Sequence, residues 1–317
     1  MAVTLEFEKS VLELEEKVAA LHRFSQERDI DLGPGLETLD AKLPEVRRKI
    51  FASLTPWEKV QLARHPQRPH PQDYAEAIFT DHMELCGDRR YADDRAIVGG
   101  FAKLNQRHVM VIVTQKGHNL KQNMEVNFGY AHPEGYRKAL RLMQLANKAQ
   151  VPIITLVDTP GAYPGVGAAE RHIGESIAVN LREMFRLEVP ILCIITGEGG
   201  SGGALGICVG NCVLIMENAY YSVITPEGCA AILWRSADAI PKAAQALKLT
   251  GPDLLKLGVV DGIIPEPLGG AHHDPVGASD LLKQAIVEQL DELCDIPGAQ
   301  LRKARYDRFR KLGVFGT

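Results

Sequence analysis

The 317-residue sequence lacks the features that mark several classes of protein. No uninterrupted apolar run approaches the ~18 residues of a membrane span, and the first residues, MAVTLEFEKS, are acidic and polar where a secretory leader is basic and then apolar. The expectation is a cytoplasmic protein that enters no membrane. Excess positive charge is missing too. Lys and Arg number 36 against 40 Asp and Glu, a formal charge of -4, and no long block of like charge occurs, so nucleic acid is not expected as a partner. Cysteine is sparse and scattered at Cys86, Cys193, Cys208, Cys212, Cys229 and Cys294, mostly within apolar segments. That distribution suits reduced core thiols better than a disulfide framework. Cys208 and Cys212 have a spacing seen in zinc sites, but no second close pair accompanies them, and no metal is expected in this chain.

What is present is near the globular average, 45% hydrophobic and 24% charged, in a length that suits two domains or one large domain with an appendage. Phe7, Val11, Leu14, Val18 and Leu21 alternate spacings of four and three, the seam of a helix. DLGPGL breaks it, and Leu36, Leu39, Leu43, Val46 and Ile50 continue as a second helix, giving a hairpin whose seams either close on each other or dock against another chain. Thr55-Pro56-Trp57-Glu58 has capping-box spacing with proline at the first helical position, and RHPQRPHPQ ends that short helix at a candidate boundary. AIVGGFAKL and HVMVIVTQ around the turn NQR read as a β-hairpin. From there strand and helix alternate. VPIITLVDTPGAYPGVG and VPILCIITGEGGSGG echo each other, each running from an apolar strand into a glycine-rich turn followed by a helix of small residues. Such units predict parallel strands with right-handed crossovers and two bare turns side by side.

The second turn, GEGGSGGALG, carries six glycines in ten positions, a conformational cost that calls for a reason. Three chemical readings fit. Gly197, Gly199 and Gly202 match a dinucleotide fingerprint with Glu217 as the ribose acid, but the following helix must fit before Asn211 while containing Gly206 and Gly210. Gly199, Ser201 and Gly203 match a nucleophile elbow, with Asp261 and His272 or His273 in the α/β-hydrolase order. Against that reading, the histidines sit in a Gly/Pro-rich loop expected to be exposed, and Ser201 reads as an ordinary helix cap. The third reading uses no side chain: successive main-chain N–H groups at a helix start converge on one spot and stabilise an oxyanion. A non-catalytic scaffold that only organises partners stays open beside these.

TGEGGSGGALGI, VDTPGAYPGVGAAER, YSVITPEGCAAILW and IIPEPLGGAH, with YRKALRLMQLA and LARHPQRPHPQDY upstream, resemble the α subunits of bacterial acetyl-coenzyme A carboxylase carboxyltransferases from about residue 5 to residue 295. The resemblance implies an α/β crotonase-like (ClpP/crotonase) spiral of repeated strand-strand-helix units over 66–295, behind an N-terminal helical hairpin over 1–65 and before a C-terminal tail over 296–317. It implies transfer of carboxyl from carboxybiotin on a carrier protein to acetyl-coenzyme A, forming malonyl-coenzyme A for fatty acid synthesis. It further implies that the main-chain N–H groups of Gly202 and Gly203 receive the biotin ureido oxygen. Gly199, Gly200 and Ser201, with Gly161, Ala162, Tyr163, Pro164 and Gly165 of the other turn, would then shape the biotin slot. The implied partners are a β subunit in an α2β2 heterotetramer, which supplies the enolate hole, most of the coenzyme A pocket and a four-cysteine zinc ribbon, together with biotin carboxyl carrier protein and an ATP-using biotin carboxylase. Glu227 is expected to be a structural carboxylate. Arg137, Lys138 and Arg141 form a basic face that is either solvated or turned to coenzyme A phosphates or the carrier. The 117–130 segment is less basic than the family pattern, and the acyl preference, acetyl or propionyl, stays open.

Overall fold

The computed structural model describes residues 4–28 and 33–313. The chain starts with two paired helices, α1 (Lys9–Arg28) and α2 (Gly33–Ala52). Val11 and Val18 of the predicted seam are buried, the Phe7 and Phe51 rings meet edge to face at 5.8 Å, and Glu15 pairs with Arg47, so the hairpin closes on itself. Asp31 and Leu32 of the predicted break lie outside the described residues. Helix α3 (Pro56–Ala63) begins at the predicted box: Glu58 N donates to Thr55 Oγ1 at 3.3 Å and Thr55 N to Glu58 Oε2 at 2.7 Å. Although α3 falls in the segment read as an arm, Val60 and Ala63 pack with Tyr220 and Leu249 of the main body.

After α4 (Pro71–Ile78) come β1 (Thr80–Glu84), β2 (Ile97–Leu104) and β3 (Arg107–Thr114), paired antiparallel, with β2 and β3 joined at Asn105-Gln106 as the predicted hairpin. The alternating part then runs α5 (Leu120–Glu125), α6 (Pro133–Ala149), β4 (Ile153–Thr159), α7 (Val166–Glu170), α8 (Ile173–Met184), β5 (Ile191–Gly200), α9 (Ser201–Leu205), β6 (Cys212–Met216), β7 (Tyr220–Ser222), α10 (Pro226–Leu233), α11 (Ile240–Leu247), α12 (Gly251–Lys256) and β8 (Gly262–Ile264). The sheet order is β1-β2-β3-β4-β5-β6-β8, parallel from β3 onward. Every residue of β4 and β5 is buried, which is why both read as continuous apolar runs without alternation.

Strand β5 changes partner along its length. Leu192 to Ile195 pair with β6, whereas Glu198 to Gly200 pair with β7, so the glycine end of the strand leaves the main sheet.

Two long helices close the chain, α13 (Pro275–Cys294) and α14 (Gly298–Arg310). Within the segment 296–317 set apart as a C-terminal tail, α14 is fixed to the body. Arg305, fully buried, donates to the carbonyls of Met184, Leu187 and Val189 at 2.6, 2.9 and 2.9 Å. Those carbonyls follow the end of α8, where no further helical turn exists to satisfy them.

Candidate active site

The two glycine turns lie side by side because their strands are neighbours, with Thr159 opposite Gly199. A Cβ on Gly200 would stand 2.2 Å from the Pro160 carbonyl oxygen, and one on Gly203 would stand 2.4 Å from the Gly161 carbonyl carbon. At these positions the glycines let main chain touch main chain. Gly202 is different: a Cβ there would meet nothing nearer than Ile177 Cδ1 at 3.8 Å. Gly202 borders a groove of about 490 Å³, together with Ser201, Leu205, Tyr221, Leu254, Val259 and Phe309, while a side chain at 202 would point to Ile177 beside it.

Helix α9 begins at this point, and the first N–H groups of a helix have no partner inside it and carry partial positive charge. Ser201, the first residue of α9, has φ +49°, the left-handed region that non-glycine residues seldom adopt, so the chain turns sharply at the strand end. The expectation that Ser201 caps the helix is corrected: Gly200 occupies the cap position and no side chain caps this helix.

The triad reading fails on geometry. His272 is not an exposed loop residue; its side chain is 4% exposed and its Nε2 lies 3.0 Å from Glu8 Oε1. Asp261 accepts from Arg308 Nη2 at 2.9 Å and from Val213 N at 2.7 Å. The dinucleotide reading fails because α9 ends after five residues and Gly206 packs under the Tyr136 ring.

The first turn braces the second. Gly161 is buried, Ala162 forms a bridge with Ala131, and Tyr163 N donates to Ala131 O at 3.0 Å. The Tyr163 ring lies against His132, with centroids 4.5 Å apart, and covers Gly165, while Pro164 is exposed. Gly199 sits beneath the Tyr221 ring. Of the predicted slot residues, only Ser201 and Gly202 line the groove; the others shape it from behind.

Behind the turns lies a charged network that sequence reasoning missed. Glu198 accepts from Tyr220 Oη at 2.5 Å, Arg64 Nε at 2.7 Å and Lys116 Nζ at 2.8 Å. Lys116 also holds Asp158 at 2.6 Å, and Asp158 in turn accepts from Glu198 N at 2.8 Å. Burial alone would raise the pKa of Glu198, but the charges of Lys116 and Arg64 outweigh it and hold the carboxyl at about 2. The same carboxylates keep the Lys116 ammonium above its ordinary value against the effect of burial. Arg64 reaches Glu227 Oε1 at 2.5 Å as well. The strand end that bears the turn is thus clamped to α3 by fixed charges. The sequence signal was one carboxylate inside an otherwise apolar and glycine-rich strand.

The basic face of α6, left open between solvent and a phosphate or carrier contact, is covered in part by residues 85–94. Lys138 is buried and donates to Asp93 Oδ1 at 2.6 Å and Asp94 O at 2.8 Å. Arg137 Nε donates to Asp88 Oδ2 at 2.7 Å. Cys208 and Cys212 are buried in the core, and Cys212 Sγ lies 3.0 Å from Gln289 Oε1. Among the described residues no helix is long and apolar enough to cross a membrane.

Residues 4–313 match the model of a family described as acetyl co-enzyme A carboxylase carboxyltransferase-like. The acetyl-coenzyme A carboxylase carboxyl transferase subunit alpha of Thermus thermophilus is 53% identical over 311 residues, covering 98% of each chain. The protein of the same name from Synechocystis is 52% identical over 98% of this chain and 95% of its own. Among solved structures, transcarboxylase 12S matches with a TM-score of 0.57 at 22% identity, over 71% of this chain and 42% of that one. A Pseudomonas malonate decarboxylase hetero-tetramer in complex with coenzyme A matches with a TM-score of 0.57 at 14% identity, over 70% of this chain and 89% of that one. The last two likenesses concern the fold alone, which is the crotonase-like one. On the full-length match and the identity of its relatives, the chain belongs to the acetyl co-enzyme A carboxylase carboxyltransferase-like family.

Proposed function

We propose that this chain is the biotin-side half of the carboxyltransferase of acetyl-coenzyme A carboxylase, which moves carboxyl from carboxybiotin on a carrier protein to acetyl-coenzyme A and yields malonyl-coenzyme A. The observation that supports the reading is the contrast between the sealed glycines at 200 and 203 and Gly202, which has room around it and borders an apolar groove. A fused urea ring on an aliphatic arm suits such a groove, because it buries apolar surface while offering one oxygen to main-chain donors. Bound biotin supplies the carboxyl group and an oxygen that gains negative charge as the group leaves.

The N–H groups of Gly202 and Gly203 lie at the start of α9, fixed in place by the contact of Gly203 with Gly161 and by Tyr136 Oη, which donates to Gly203 O at 3.1 Å. Donors fixed in advance need no reorganisation when charge develops, and losing one costs roughly 10² to 10³ in rate. Leu205, Tyr221 and Phe309 line the same groove with apolar surface. No side chain at the turn is placed to move a proton, so the acetyl group's acceptor chemistry falls to other components. In this reading a β subunit supplies the enolate-stabilising donors, most of the coenzyme A pocket and a zinc ribbon, within an α2β2 assembly served by biotin carboxyl carrier protein and biotin carboxylase.

The test is reconstitution. The purified chain alone should form no malonyl-coenzyme A, and addition of a β-type partner with carboxybiotin should restore turnover. Gly202→Val, which wedges a branched side chain against Ile177 at the edge of the groove and shifts the turn's N–H groups, should abolish turnover while assembly with β persists. Full turnover by that variant overturns the assignment.

A further inference from the structure

A second cavity, of about 570 Å³, opens between α6, α8 and the 87–92 loop, and no step of the proposed transfer uses it. Six arginines line it against three carboxylates, Asp88, Glu175 and Glu183. Two of the carboxylates are already engaged: Asp88 with Arg137 at 2.7 Å, and Glu183 with Arg182 at 2.8 Å.

Arg171 pairs with Glu134 at 2.8 Å, and three of the arginines pair with no carboxylate among the described residues. Arg141 donates only to main-chain carbonyls, those of Leu85, Cys86 and Gly87, at 2.8, 3.1 and 3.0 Å. Arg89 Nη1 donates to the Cys86 carbonyl as well, at 2.9 Å, so two guanidinium groups converge on one oxygen with no anion between them. The Arg90 guanidinium, exposed beside them, makes no ion pair or hydrogen bond among the described residues. The loop is held in this position on purpose-built contacts: Asp88 Oδ1 accepts from the main-chain N–H groups of Arg90, Tyr91 and Ala92 at 2.9, 2.8 and 3.2 Å while Oδ2 binds Arg137. Burial, and then the nearby charge of Arg89, lower the pKa of Arg141, which matches the crowding seen in the geometry. Asn180 also lines the cavity; it is fully buried, and its Oδ1 has no hydrogen-bond partner.

We infer that this cavity binds a phosphate-bearing small molecule of nucleotide size, its phosphates on Arg89, Arg90 and Arg141. Guanidinium groups clustered with no carboxylate bonded to them suit an oligophosphate through charge-assisted, bidentate bonds. The volume falls in the range of small-molecule sites, roughly 300 to 1,000 Å³. This inference stands apart from the reading of the glycine turn, since the two cavities share no lining residue.

The experiment is calorimetric titration of the full chain with ADP and with pyrophosphate at low salt, without any carboxylation assay. ADP should bind saturably, more tightly than pyrophosphate, and more weakly as salt rises. Arg90→Glu, an exposed change that disturbs no contact of the fold, should weaken ADP about tenfold or more, and Glu175→Gln, which removes the one rim carboxylate without a partner, should tighten it several-fold. No saturable ADP binding up to about 10 mM, a level at which any specific oligophosphate site is filled, overturns the inference. So does an Arg90→Glu protein that binds ADP as the parent does.

Discussion

Glu8 and His272 stand 264 positions apart in the chain and meet at 3.0 Å in the interior, Glu8 Oε1 on His272 Nε2. The same carboxylate takes the Leu5 N–H at 3.0 Å and lies 3.7 Å from His273 Nε2, and the His272 ring packs at a tilt against those of His65 and His273, with centroids at 4.1 and 4.3 Å. This contact ties the residues just before α1 to the loop after β8.

The first prediction concerns that tie. Burial pushes the Glu8 carboxyl up, but the bonds from His272, His273 and Leu5 N outweigh burial and hold it far below its ordinary 4.5. A depressed carboxylate contributes stability that is complete above the unfolded value and is lost as pH falls through 4.5 and below. Hydrogen exchange should therefore show the α1 amides losing protection as pH drops from about 6 toward 3, ahead of the β4 and β5 amides. Glu8→Ala should produce the same loss at neutral pH, at a cost of about 2 to 4 kcal/mol for a buried ionic partner removed. Uniform exchange across the chain in both cases counts against a separate latch.

A second prediction sets Gly203 against Gly202. At Gly203 a methyl would strike the Gly161 carbonyl carbon at 2.4 Å and Ala162 N at 2.5 Å, both main-chain atoms that cannot swing aside. Gly203→Ala should cost about 1 to 3 kcal/mol and displace both turns. Gly202→Ala has 3.8 Å of clearance and should change stability by less than about 1 kcal/mol in either direction. Urea melts of the two variants measure the difference; equal losses would mean that the turns do not bear on each other as described.

How much of this was readable beforehand depends on the range of the contact. The parallel strands, the hairpin at Asn105-Gln106 and the capping box at Thr55 rest on runs and spacings of a few residues, and all appear where the local pattern puts them. That GEGGSGGALG needed bare main chain was also legible, but the object approaching Gly203 was not, since Gly161 is brought there by strand pairing. Arg137, Lys138 and Arg141 looked like a solvated helix face because their partners come from residues 85 to 94, and nothing in the helix itself announces that cover. Arg305 reads locally as one charge in a charged tail, although it closes three carbonyls over a hundred residues away.

The third prediction uses the Arg68–Glu266 pair, which is buried on both sides, with side chains 1% and 0% exposed. Glu266 takes Arg68 at 2.6 and 2.9 Å and Asn218 and Ala271 main-chain N–H groups at 3.0 and 2.9 Å; burial raises its pKa, and these partners bring it down to about 2. Glu266→Gln should cost about 3 to 5 kcal/mol, because it strands the Arg68 charge in the interior. Arg107→Ala, which breaks a pair whose aspartate, Asp291, is 61% exposed, should cost less than about 1 kcal/mol. Because the Glu266 carboxyl is depressed, the parent should lose stability as pH falls below 4.5 toward about 2, and Glu266→Gln should lose less of its own over that window. Denaturant titrations at pH 7 and pH 3.5 give all four values.

The last prediction separates main chain from side chain at Ser201. Its φ of +49° is costly for any residue with a Cβ, by roughly 1 kcal/mol relative to glycine, so Ser201→Gly should be stabilised slightly or unchanged. If the N–H groups of the turn receive the developing charge, the hydroxyl contributes nothing that glycine lacks, and turnover with a β partner should stay within about threefold of the parent. A hydroxyl acting as nucleophile would give the opposite result, a loss of several orders of magnitude together with labelling of the parent by a fluorophosphonate. Ser201→Ala adds a control, since it keeps the Cβ and the backbone cost while deleting only the oxygen. Activity retained in both variants leaves the peptide units at 202 and 203 as the groups at this turn that meet the charge, whereas a collapse in both moves the chemistry to the serine.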